Sequence, residues 1–167
     1  MKKGFTMIEL IFVIVILGVL ASVAIPRLAA TRDDAEVAKA ATNLTTAVSD
    51  LTAYYTAKGH FKSKASAAAN MSDFTKFTNA LAKDGKLYVK GKTECVEVKL
   101  PTNNTTANAS DKVELTLKFK ESDAVCKQLM KLPGVKAMCG KGDTDTIAAN
   151  SSSACKIQIG GSGGIQF

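Results

Sequence analysis

The chain has 167 residues, 46% of them hydrophobic and 22% charged, with no Trp and a formal net charge of +7 at neutral pH. That length suits one domain of the usual size, roughly 100–150 residues, with a short additional segment. Its lysines are dispersed over residues 58 to 136 with no dense basic cluster interleaved with aromatics, which argues against a dedicated nucleic-acid site and leaves only a weak DNA or surface contact open.

The first element is an apolar run. MKKGFTMIELIFVIVILGVLASVAIP places Lys2 and Lys3 ahead of Gly4, and from Phe5 to Ile25 its one charged residue is Glu9. At about 1.5 Å per residue, those roughly 21 residues form a helix matching a hydrocarbon core about 30 Å thick, so the segment can cross a membrane once. An ionisable side chain at that depth costs about 2.5 kcal/mol or more and is normally kept for a partner, so Glu9 requires a counter-charge. The charges nearest in sequence are Lys2, Lys3 and Arg27. Gly18 and Pro26 weaken the backbone between them, and bending or local melting is expected there.

Beyond Pro26, residues Val37, Ala41, Leu44, Val48, Leu51 and Tyr55 recur at steps of four and three, one apolar helical face. Asp33, Asp34 and Glu36 fall on the solvent side, and Gly59 after Lys58 is a C-terminal stop. A single helix from Phe5 to about Lys58 would be about 80 Å long, more than a globular domain of this size can cover.

A second helix is expected from Ser72 or Asp73 to about Lys83, with Phe74, Phe77 and Leu81 facing the long helix and Asp84-Gly85 ending it. Strand patterns follow at Lys86 to Lys90, Glu94 to Leu100 and Val113 to Lys120, the last alternating Val113, Leu115, Leu117 and Phe119 inward. Ser122-Asp123 caps a short helix carrying Val125, Leu129 and Met130, and Cys155 to Ile159 is a final strand. The fold class is therefore α+β, a long N-terminal helical spine packed on a small antiparallel sheet. The polar loop PTNNTTANASD, with Asn103, Asn104 and Asn108 in N-x-S/T sequences, and the tail GGSGGIQF read as surface segments.

Four cysteines in a chain with a membrane-crossing segment suit two disulfides in an oxidising compartment. There is no CxxC, and the single His60 lies near no cysteine in sequence, so no metal site is expected. Asp143 and Asp145 in KGDTDT read as a turn rather than a calcium loop. Of the three connectivities, the favoured one pairs Cys126 with Cys139, closing the short helix and PGV turn, and Cys95 with Cys155, stapling two strands.

KKGFTMIELI, with Gly4, Phe5, Thr6, Glu9, Gly18 and Pro26 in place, resembles the start of type IV pilins and of the pseudopilins of type II secretion and competence systems. The resemblance covers residues 1 to about 30. It implies that a prepilin peptidase cuts between Gly4 and Phe5, and that Phe5 becomes an N-methylated, positively charged terminus. It further implies that Glu9 pairs with the terminal amine of a neighbouring subunit during assembly, which supplies the missing counter-charge. The organisation implied is a leader at 1–4, a transmembrane and polymerisation helix at 5–26, and a pilin-like globular domain at 27–167 that includes the second half of the spine.

The function implied is a structural subunit of a type IV pilus-like filament, or alternatively a periplasmic pseudopilin of a secretion or DNA-uptake system. Its partners would be the peptidase, other copies of itself and related pilins in a helical filament, and an inner-membrane assembly platform. It would reside in the inner membrane and then in a periplasmic or cell-surface filament. A secretory signal peptide ending at Ser22-Val23-Ala24 and a plain anchor both leave Glu9 unexplained. A membrane-tethered binding domain is the alternative of a different class. No residues stand in a catalytic arrangement with His60 and no phosphate-cradling loop precedes a helix, so neither an enzyme nor a cofactor is expected.

Overall fold

A computed structural model of the chain describes residues 4–59, 61–63, 66–70, 73–101, 112–151 and 155–160. Lys2, Lys3, His60, Ser72, the asparagines 103, 104 and 108, and the tail beyond Gly160 lie outside the described residues. Helix α1 runs from Met7 to Lys58. Gly59, at φ +70°, ends it and donates its N–H to the Tyr55 carbonyl at 2.7 Å, which only a residue tolerant of the left-handed region does without strain. The helix assignment runs on through Gly18 and Pro26, so the bending or local melting expected there is not seen as a break in α1. One missing N–H at Pro26 does not unravel a helix of this length.

The chain divides into two compact units, Met1–Ala35 and Glu36–Phe167, and α1 contributes to both. In the first, the large apolar side chains from Phe5 to Leu28 are exposed. In the second, α1 buries Val37, Ala40, Leu44, Ala47 and Leu51 against the sheet's inner face. This stripe is turned from the expected one: Ala41, Val48 and Tyr55 sit at its margin, and Ala40 and Ala47 occupy its centre. Alanine fills the centre of the stripe with little volume, and the larger side chains pack along its margins.

Strands β1 (Lys62–Ser63) and β2 (Ser66–Asn70) form a small antiparallel pair that no sequence pattern had announced. The main sheet has β3 (Lys86–Val89), β4 (Thr93–Lys99), β5 (Val113–Phe119) and β6 (Cys155–Gly160), antiparallel in that order. All four strands fall within a residue or so of their expected limits. Val113, Leu115, Leu117 and Phe119 point inward as the period-two pattern requires. Helix α2 (Ala124–Lys131) starts at Asp123, whose carboxylate accepts the Val125 N–H at 2.9 Å, and α3 (Pro133–Met138) follows with proline in its first turn.

Two expectations are corrected. The helix from Ser72 or Asp73 to Lys83 is instead a single 3-10 turn, Phe74–Lys76, followed by irregular chain. The segment folds back on itself, Phe74 N–H donating to the Lys83 carbonyl at 3.0 Å, and the Thr78 hydroxyl takes the Ala80 N–H at 3.1 Å in place of a helical carbonyl. Phe77 nevertheless reaches α1 as expected, edge-on to Tyr54 with ring centroids 4.7 Å apart and to Phe61 at 5.4 Å. Gly85, at φ +77°, closes this loop, and a Cβ there would come within 2.5 Å of the Phe74 ring.

The disulfides are Cys95–Cys126 and Cys139–Cys155, not Cys126–Cys139 and Cys95–Cys155. The first ties β4 to α2 with Cα atoms 5.1 Å apart, and the second ties the end of α3 to β6 at 4.6 Å. Each bridge joins a helix to a strand, because the short helices lie over the sheet and not beside one another's cysteines.

Candidate assembly and processing segment

The functional candidates cluster at the start of α1. Gly4 and Phe5 precede the first helical turn and are exposed, Phe5 to 80%. A bond in non-helical, uncovered chain is accessible to a peptidase, and among the described residues, its chain neighbours aside, none comes within 4 Å of where a Gly4 Cβ would be. Glu9 stands in the first turn and is exposed. Its carboxylate oxygen Oε2 accepts the Thr6 N–H at 2.8 Å and the Thr6 hydroxyl at 2.6 Å. Thr6 and Glu9 thus share the T-x-x-E spacing of a capping box, in which the acidic residue satisfies an amide that the helix cannot. Both residues stand out in the sequence, but the contact between them was missed there, although the spacing announces it. Among the described residues Thr6 provides neutral donors only, so Glu9 has no counter-charge there.

From Met7 onward the helix shows apolar side chains on every side, including Ile8, Leu10, Ile11, Val13 and Ile14, all exposed. It is long and apolar enough to cross a membrane. A helix apolar all round requires a surrounding of lipid or of other helices, since one contact stripe would leave most of it in water. Gly18 has nothing within 4 Å of its Cβ position, and Pro26 lies inside the helix where the apolar run ends. The four cysteines are remote in function from this segment and belong to the disulfides described above. Asp145 accepts the Gly142 N–H at 3.0 Å within a turn, and among the described residues no three His, Cys, Asp or Glu side chains gather as metal ligands would.

A second electrostatic centre stabilises the sheet. Glu94 on β4 pairs with Lys120 at 2.7 Å and with Lys86 at 3.2 Å, its side chain only 15% exposed. Hydrogen bonding from Lys120, reinforced by Lys86, holds its carboxyl below the usual glutamate range. Asp123, which caps α2, is likewise lowered, by the Val125 N–H first and then by Lys90 at 3.2 Å.

The long N-terminal helix, the four-stranded antiparallel sheet and the short helices make an α+β, pilin-like fold headed by a helix whose first half is apolar. Residues 1–25 match the prokaryotic N-terminal methylation motif, the prepilin-type cleavage and methylation segment of type IV pilins and pseudopilins. The motif supports a type IV pilin-like or pseudopilin subunit and implies processing by a prepilin peptidase. Together with the apolar helix it fits membrane anchoring before assembly. No curated protein and no solved structure matches the chain.

Proposed function

We propose that the chain is a structural subunit of a type IV pilus-like filament, cut between Gly4 and Phe5 and polymerised through α1. The observation that carries this is an apolar helix exposed on all sides with an acidic residue, Glu9, in its first turn, inside a segment that matches the methylation motif. Residues 1–4 are the leader, 5–26 the transmembrane and polymerisation helix, and 27–167 the pilin-like domain with the rest of α1. In lipid, the side chains of Ile8, Leu10, Ile11, Val13 and Ile14 are satisfied by acyl chains. In a filament they are satisfied by equivalent helices, at about 25 cal/mol per Å² of apolar area removed from water. Glu9 pairs with the amine of Phe5 on a neighbour, and a low dielectric makes both that pair attractive and an unpaired carboxylate costly. The pairing selects register more than strength. Gly18 and Pro26 let the helix bend as it changes surroundings, and the disulfides hold the pilin-like domain closed under load. The finished filament stands in the periplasm or on the cell surface.

The N-terminus of the membrane-extracted protein tests the pathway, read by intact mass and terminal peptide sequencing. N-methylated Phe5 is expected, whereas a retained Met1 or a start at Ile25 overturns the reading. Glu9→Ala is expected to leave cleavage intact and to lower the yield of sheared filaments at least about tenfold, the equivalent of 1.4 kcal/mol. Normal polymer from that variant removes the pairing mechanism. Shearing also separates the filament classes, because a surface pilus is released as long fibres and a pseudopilin stays in the envelope.

A further inference from the structure

We infer that Tyr88 of one copy seats in a lysine-rimmed pocket of the next copy, a contact that rests on the filament reading above and supplies it with an interface outside α1. Among the described residues from Glu36 onward, Tyr88 is the one large hydrophobic side chain left exposed, at 38%. It stands on the edge strand β3, where Leu87 and Val89 turn inward and so direct it outward. Its hydroxyl donates to Asp84 Oδ2 at 3.0 Å, so the projection combines an aromatic ring with a carboxylate.

The complementary feature lies around α2 and α3. A cavity of about 280 Å³ has the buried Met130 and Ile147 at its base and Lys127, Lys131 and Lys136 around it, with Glu121 as the single acid. Lys136 is held in place by donating to the Asp143 carbonyl at 2.6 Å. The space is below the roughly 300–1,000 Å³ of pockets for drug-sized ligands and suits one side chain. None of the side chains lining it is aromatic, so a nucleic-acid strand would find no stacking platform there. A tyrosine ring meets a methionine thioether and an aliphatic floor, with ammonium groups able to sit over its face. The Asp84 carboxylate that accompanies it meets the lysine rim.

Projection and pocket share no residue, so one copy offers both and the contact is heterologous. Such a contact does not close as a two-fold dimer; it propagates as a ring or a helix. A net positive chain also repels its copies, and the Asp84 carboxylate, which Lys86 meets at a loose 3.8 Å on its own copy, offsets part of that repulsion when brought to a basic rim. Tyrosine anchored in a small pocket is the usual composition of an interface hot spot.

The test uses the full chain in cells that process and assemble it. With p-benzoylphenylalanine placed at position 88, irradiated filaments should yield a cross-link to a peptide from residues 127–147 of another copy. Tyr88→Ala should lower sheared filament at least about tenfold while Tyr88→Phe stays near wild type, since the ring is the anchor. Lys127→Glu with Lys131→Glu should lower it similarly, and adding Asp84→Lys should restore it. Cross-links that map elsewhere, or undiminished filament from Tyr88→Ala, overturn the inference while leaving the filament reading intact. Absence of filaments from the wild type overturns both. Should Tyr88→Ala fail to fold, judged by its disulfides and melting temperature, the cross-link and the charge exchange decide.

Discussion

Glu9 and Glu94 are two glutamates with opposite surroundings, and the contrast shows what a single side chain can be asked to do. Among the described residues Glu9 accepts hydrogen bonds from Thr6 alone, both from neutral donors. Glu94 already has two lysines, drawn from β3 and from the residue after β5, and so braces three consecutive strands. Because its folded carboxyl is held below the ordinary value near 4.5, its contribution is fully present above that value and is lost as pH falls through the folded one. Glu94→Gln should therefore destabilise the protein at pH 7 by about 1 kcal/mol, allowing for solvent screening, and less at pH 3, below the ordinary glutamate value. Thermal melting of the detergent-solubilised chain at the two pH values checks this; an equal loss at both would mean that packing, not charge, is what Glu94 provides. Glu9 was legible in the sequence because a charge inside an apolar run is rare. Glu94 was not, because its partners are neighbours only across strands.

Helix α1 illustrates how far periodicity reaches. A face with steps of four and three announced a helix packed on a core, and its limits at Lys58 and Gly59 followed from composition and a stop signal. Which residues lie at the centre of that face was misread by about one position, since Ala40 and Ala47 are only weakly apolar yet are buried. The segment Asp73 to Lys83 failed for a related reason: Phe74, Phe77 and Leu81 have helical spacing, but the Phe77 ring finds Tyr54 and Phe61 and the Phe74 backbone finds the Lys83 carbonyl. Tertiary contacts there override a short local preference. Gly18 and Pro26 make a prediction at this scale. Amide hydrogen exchange should show less protection between residues 18 and 26 in the assembled filament than in the flanking turns; uniform protection along the helix would remove any hinge.

Across the whole chain, two helix-to-strand disulfides close loops with sequence separations of 31 and 16 residues around a modest core. In the loop-entropy picture each stabilises by about 3 kcal/mol, and a doubling of the loop adds about 0.6 kcal/mol. Replacing Cys95 and Cys126 by Ala should thus lower the melting temperature more than replacing Cys139 and Cys155, provided each variant is compared with the oxidised parent. The reverse order would mean that native-state packing around the cysteines outweighs loop closure. The methylation motif, the membrane-length helix with its one acid and the strand limits could all be read before any fold was known, because each is a local pattern of charge, hydrophobicity or residue type along the chain. The cysteine pairing, the lysines around Glu94, the Tyr88 projection and the pocket between α2 and α3 emerged only from the folded chain. All of these join residues far apart in sequence, and their distances depend on how the short helices lie over the sheet.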